Sequence, residues 1–172
     1  MNFFFKTMAS PIGILKLVST DHALSAILWE NDNPARVPLG SLREHKNQPL
    51  LLQAQQQLED YFAGIRREFT IPLEFHGTYF QKSVWMALTR IPFGETRTYS
   101  QIAAEIGNPK AVRAVGAANG KNPISIIAPC HRIIGADGSL TGFAGGLDTK
   151  AFLLDLESRL SKPAQLPCDL KI

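Results

Sequence analysis

The sequence predicts a mixed α/β fold in two parts: an N-terminal antiparallel meander covered by a helix, then a mostly helical part holding a helix-turn-helix. Three observations carry this. Residues 3–8, 14–19 and 24–29 are short runs rich in Phe, Ile, Leu and Val with partial alternation, the pattern of strands. Leu51, Ala54, Leu58, Tyr61 and Phe62 then recur at helical spacing. The charge also changes near residue 76, from seven basic against eight acidic residues before Gly77 to eleven against seven after it. We place a boundary there, with residues 1–76 as a support domain and 77–172 as a second domain. A chain of 172 residues with 45% hydrophobic and 19% charged residues can build one large core or two modest ones.

In order, Ser10-Pro11-Ile12-Gly13 and Thr20-Asp21-His22 separate the three strands, and Asn31 to Gly40, with Pro34 and Pro38, is a loop. Pro49 near the start and Gly64 just past the end bound the first helix, which should cover one face of the meander. Thr78 followed by Gln81 is a capping box; the helix it opens turns Phe80, Val84, Trp85 and Leu88 inward until Pro92 stops it. Thr98 to Ile106 and Lys110 to Ala118, broken at Gly107-Asn108-Pro109, form the helix-turn-helix. The second of these helices is built from small residues, Ala111, Ala114, Gly116, Ala117 and Ala118, so a nucleic-acid backbone could approach it closely. A plain helical hairpin of a core is the alternative. Asp137-Gly138 reads as a hairpin turn, and Leu147, Asp148 and Phe152 as a hydrophobic staple around an N-cap for a last helix through Leu153, Leu156 and Leu160.

The chemistry gathers at Pro129-Cys130-His131-Arg132. The preceding run, Ile124-Ser125-Ile126-Ile127-Ala128, reads as a buried strand or tight extended segment, which would set the thiol on a rigid support. A reactive thiol needs positive charge or a base nearby, and His131 and Arg132 are candidates. A lone cysteine is more often a small core hydrophobe, but an adjacent charged pair is a costly setting for an inert one. Neighbours on a strand face opposite ways, so pairing of Cys130 with His131 requires a turn or a bridging water. From Gly77 to Gly135 seven basic residues stand against two acidic ones, and positive charge around a nucleophile favours a polyanionic partner, nucleic acid first.

Asn122-Pro123, Pro129-Cys130-His131-Arg132 and Gly142-Phe143-Ala144-Gly145-Gly146, with Ala117-Ala118-Asn119-Gly120 ahead of them, resemble the signature of the DNA alkyltransferases that remove alkyl groups from O6 of guanine, in their bacterial constitutive form. The resemblance runs from about Gly77 to Glu157. It implies a small N-terminal α/β domain like a ribonuclease H fold and a winged helix-turn-helix-like C-terminal domain. It further implies that Cys130 takes the alkyl group, that His131 is its water-mediated base, that Glu157 orients His131 and that Asn122 braces the site. A base inside a stacked duplex is out of reach of a thiol, so it must be flipped. By resemblance Arg113 fills the gap, Tyr99 rotates the phosphate and donates to the purine, and Lys150 and the backbone of Ala144 line the pocket. Lys110, Ala114, Lys121 and Arg132 are expected on the DNA side, and Ile133, Phe143 and Gly145 around the base. The reaction would be a single displacement that leaves Cys130 as a thioether, acting once per molecule with no cofactor.

The sequence departs from some relatives at Phe143, where they have tyrosine, at Ser125, where they have proline, and at Asn119, where the animal type has a bulkier apolar residue. Two other readings compete. An alkyltransferase-like module binds lesions without chemistry but carries another residue at the position of Cys130. A thiol hydrolase needs a distal histidine in a motif of its own, which is lacking. Cys130 and Cys168 make no disulfide framework, and His22, His45, His76 and His131 lack paired ligand spacing, so no metal is expected. With no signal peptide or membrane span in the sequence, the expectation is a cytoplasmic monomer acting on double-stranded DNA that contains alkylated bases.

Overall fold

A computed structural model describes residues 1–163. Cys168 and the rest of the tail lie outside them. Strands β1 (Phe3–Ser10), β2 (Gly13–Ser19) and β3 (Leu24–Leu28) form the expected meander. A short β4 (Leu42–Glu44), absent from the sequence reading, pairs parallel to β1, giving the order β3-β2-β1-β4. Three residues with no alternation carry too little periodicity to be read. Helix α1 (Pro49–Phe62) starts at Pro49 as expected and buries Leu51, Ala54, Leu58 and Tyr61.

In the second part, Thr78 and Gln81 form the expected capping box of α2 (Tyr79–Leu88). Thr98 and Gln101 form another at α3 (Tyr99–Glu105). The turn to α4 (Val112–Gly120) passes through Gly107 at φ +78°, a left-handed position where glycine avoids the penalty of a Cβ. Lys110 thus sits in the turn, just ahead of the helix expected to carry it. Two-residue strands β5 (Arg97–Thr98) and β6 (Ile133–Ile134) pair in parallel, and α5 (Leu147–Ser161) closes the fold.

Three expectations are corrected. The run 124–128 is a chain of tight turns: Ile127 N–H donates to Ser125 O, Ala128 N–H to Ile124 O and Cys130 N–H to Ala128 O, with Ile126 at φ +75°. Its apolar composition reports burial, which a strand and a buried turn share. Gly146, at φ +90°, is the N-cap of α5, so Asp148 lies inside the first turn, where its charge meets the helix dipole. Asp137-Gly138 does turn the chain, closed by Gly138 N–H to Gly135 O, but joins no pair of strands.

One apolar cluster runs through both parts, from Leu15, Leu24 and Leu58 to Trp85, Ile102, Val115 and Leu153. Main-chain bonds cross the boundary as well. The edge of β3 receives residues 72–74 through Leu24 N–H to Pro72 O and Glu74 N–H to Leu24 O, and Ile27 N–H reaches Pro123 O, all at 2.9 Å. The last of these attaches the sheet directly to the turns that precede Cys130.

Candidate functional site

Cys130, His131 and Arg132 form one 3-10 turn, and this turn lets neighbouring side chains face a common interior where a strand would have split them. All three are buried. Asn122 braces the turn: its Nδ2 donates to Ala128 O at 2.7 Å and its Oδ1 accepts from Ile124 N–H at 3.1 Å. His131 Nε2 lies 2.7 Å from Glu157 Oε1, and Nδ1 has no hydrogen-bond partner among the described residues. With Glu157 taking a proton at Nε2, the free Nδ1 is an acceptor.

Glu157 sits on the inner face of α5 beside Leu153 and Leu156, one per cent exposed. Burial pushes its carboxyl up, but hydrogen bonds from His131 and Arg132, and then their charges, outweigh that and hold it at about 2. Arg132 donates through Nε to Oε2 and through Nη2 to Oε1, both at 2.9 Å, and through Nη1 to Ile91 O at 2.6 Å. The expectation that Arg132 faces DNA is therefore corrected. It is five per cent exposed and its guanidinium is committed to the carboxylate.

The thiol is also not tuned as its neighbours in sequence suggested. Burial pushes Cys130 up. Asn122, the Arg36 guanidinium, Ser125 and Lys150 pull it back, and Arg132 is not among them. Ser125 Oγ is buried and has no hydrogen-bond partner among the described residues. Burial lowers His131, opposed by Glu157 and reinforced by Arg132 and Lys150. The resting pair is therefore thiol and neutral imidazole, a state that can pass a proton on demand.

Lys150 is fully buried; burial lowers it, and its Nζ donates to Thr141 O at 2.9 Å. Thr141 Oγ1 in turn meets Tyr99 Oη at 2.8 Å, so Lys150 and Tyr99 hold the same end of the loop before Gly142. Ile133 is buried, Phe143 and Gly145 half-buried, and Ala144 exposed. Gly145 is glycine for lack of room: a Cβ there would stand 2.8 Å from the Trp29 ring, which also meets Phe143 edge-on at 5.4 Å. On the outside Lys110, Arg113, Ala114 and Lys121 are exposed along the turn and α4, and Gly116 lies against the Tyr99 ring.

The sequence reading missed three residues, all from the N-terminal part. Arg36 donates to Asn122 O at 2.6 Å while its Nε and Nη2 hold Asp32. Trp29 backs Gly145, and the Tyr61 hydroxyl reaches Glu157. Arg36 and Asp32, four apart on either side of Pro34, left a faint trace as an ion pair in an otherwise plain loop. Trp29 and Tyr61 read as ordinary core. Among the described residues no group of His, Cys, Asp and Glu is placed to hold a metal.

Two family models match the chain: "6-O-methylguanine DNA methyltransferase, ribonuclease-like domain" over residues 3–75 and "6-O-methylguanine DNA methyltransferase, DNA binding domain" over residues 79–159. A methylated-DNA--protein-cysteine methyltransferase of Methanosarcina acetivorans is 50% identical over 155 residues, covering 90% of this chain and 97% of that protein. The constitutive protein of that name from Bacillus subtilis is 46% identical, covering 90% and 94%. A crystal structure of the Mycobacterium tuberculosis OGT in complex with DNA superposes with a TM-score of 0.84 at 43% identity, covering 95% of this chain and 96% of that one. With both halves matched in order and the thiol turn lying within the second, this chain belongs to the 6-O-methylguanine DNA methyltransferase family.

Proposed function

We propose that the protein repairs DNA by direct reversal, moving the alkyl group from O6 of guanine, and from O4 of thymine, onto Cys130 in one stoichiometric step. The observation that carries the reading is the buried Cys130–His131–Glu157 arrangement with a free His131 Nδ1, inside a domain whose family model is named for DNA binding. The thiol proton passes through a water to Nδ1. Sγ bonds to the alkyl carbon as the carbon–oxygen bond breaks, and the base leaves as guanine after taking up one proton, which balances the proton lost by the thiol. Tyr99 donates to the departing purine and Asn122 keeps the turn in place. The flipped base lies against Ile133, Phe143, Ala144, Gly145 and Lys150. Arg113 enters the stack, and Lys110, Ala114 and Lys121 lie along the backbone, supported by the exposure of all four.

In this reading residues 1–76 support the site and 77–172 bind DNA and accept the alkyl group. The partner is double-stranded DNA with alkylated bases, on which the protein acts as a monomer. No cofactor enters the step. No helix among the described residues is long and apolar enough to cross a membrane. A reduced thiol as substrate favours the cytoplasm.

The test is the intact mass of the protein after incubation with duplex DNA carrying one O6-methylguanine, followed by peptide mapping. One added methyl group confined to the Cys130 peptide is expected. Cys130→Ala should keep lesion binding and show no gain. An unchanged wild-type mass with tight lesion binding would replace this reading with the lesion-sensing module.

A further inference from the structure

Tyr61 takes no part in the steps above, yet it touches their electrostatic anchor. It lies on α1 in the N-terminal part, fully buried, and its hydroxyl donates to Glu157 Oε1 at 2.8 Å. That oxygen is the one facing His131 Nε2 at 2.7 Å, and it also takes Arg132 Nη2. Oε2 takes Arg132 Nε and, at 3.3 Å, Gly94 N–H. The Tyr61 ring is wedged among Phe62, Phe69 and Phe93, with centroids 5.3, 5.6 and 6.1 Å away, so the hydroxyl has one direction available. Burial, and then the Glu157 charge, hold the phenol far above its ordinary range, which leaves it a donor at every working pH.

We propose that Tyr61 is a positioning residue for alkyl transfer: by donating to Glu157 Oε1 it disperses the negative charge that faces His131 Nε2, and so sets the proton affinity of Nδ1, where the thiol proton arrives. This rests on the reading of Cys130, His131 and Glu157 as a relay. Four groups besides Tyr61 bear on the imidazole. Glu157 from α5 favours the charged ring, and Arg132 from the 3-10 turn and Lys150 from α5 disfavour it; in the proposed step Cys130 exchanges the proton with it. A donor on Oε1 weakens the pull of Glu157, because hydrogen bonding to a carboxylate spreads its charge. Removing the hydroxyl therefore raises the proton affinity of His131. Since only neutral imidazole can accept the thiol proton, the acid limb of the rate profile must move to higher pH. The Tyr61 hydroxyl thereby couples the N-terminal part to the chemistry on the histidine side, as Arg36 does on the side of Asn122 and the thiol.

The experiment is single-turnover methyl transfer from duplex DNA as a function of pH, using the full chain as wild type, Tyr61→Phe, Glu157→Gln, and a form with a ring-fluorinated tyrosine at position 61. In Tyr61→Phe the acid limb should rise by about half to one pH unit, with rates converging to within about threefold on the plateau. The fluorinated ring is a stronger donor of nearly the same shape, and its limb should move the opposite way. A role in packing alone moves neither limb, so limbs that stay at the wild-type position overturn the proposal. If Tyr61→Phe does not fold, the fluorinated form decides alone. Glu157→Gln separates the two levels: if its profile matches wild type, the relay itself falls, whereas an altered profile with unmoved Tyr61 limbs removes only Tyr61.

Discussion

The buried acidic side chain of Glu157 collects five donors, and this has a cost that depends on pH. Its carboxyl is held at about 2 against an ordinary 4.5. The stability it contributes, roughly 3 kcal/mol, is therefore fully present above about pH 4.5 and lost as pH falls toward 2. His131 adds to the same slope in an earlier window. Its folded proton affinity lies below the ordinary 6.5, so the unfolded imidazole takes up a proton that the folded one refuses. Urea midpoints measured from neutral pH downward should therefore fall first below about pH 6.5 and again below about 4.5. Glu157→Gln should flatten the second fall while lowering stability at neutral pH by about 3–5 kcal/mol, because Arg132 is left as an unpaired buried charge.

Helix α4 and the loop before α5 divide the labour of reaching a base. Helix α4 is narrow because of its alanines and Gly116, and it carries Arg113 outward with no ion-pair partner among the described residues. Arg113→Ala should slow repair of duplex DNA on the order of tenfold, the scale of a partial loss of flipping energy, and leave reaction with the free base O6-benzylguanine nearly unchanged. Equal losses on both substrates would take Arg113 out of that role. The loop is shaped from behind by Trp29. Gly145→Ala must displace the Trp29 ring or the loop, and a contact this tight predicts a loss of stability of about 1–3 kcal/mol, read as a lowered melting temperature together with slower transfer.

At the scale of the molecule, the two family models meet near residue 76, but the core does not divide there. The apolar cluster is continuous, β3 bonds to residues 72–74 and to Pro123, and Arg36 and Tyr61 cross to Asn122 and Glu157. Cooperative unfolding of the whole chain is the expected consequence. The two tryptophans report on it separately, since Trp29 follows β3 and Trp85 lies in α2. Single-tryptophan forms, Trp29→Phe and Trp85→Phe, should show coincident denaturant midpoints once corrected for the substitutions. Separated midpoints would mean that the boundary is thermodynamic as well as modular.

The sequence by itself determined the elements whose cause is local. The meander follows from alternation, α1 from apolar spacing between Pro49 and Gly64, α2 from the Thr78–Gln81 box, and the helix-turn-helix from Gly107-Asn108-Pro109. The same holds for the thiol and its partners in order, because a motif is a local string. It could not determine what depends on side chains meeting from distant segments. That Arg132 turns inward to Glu157, that 124–128 coils into turns, and that Tyr61, Arg36 and Trp29 stand against the site were decided only by tertiary structure. Burial makes each buried charge seek a partner wherever the fold brings one, and no spacing along the chain records a contact made across 96 residues.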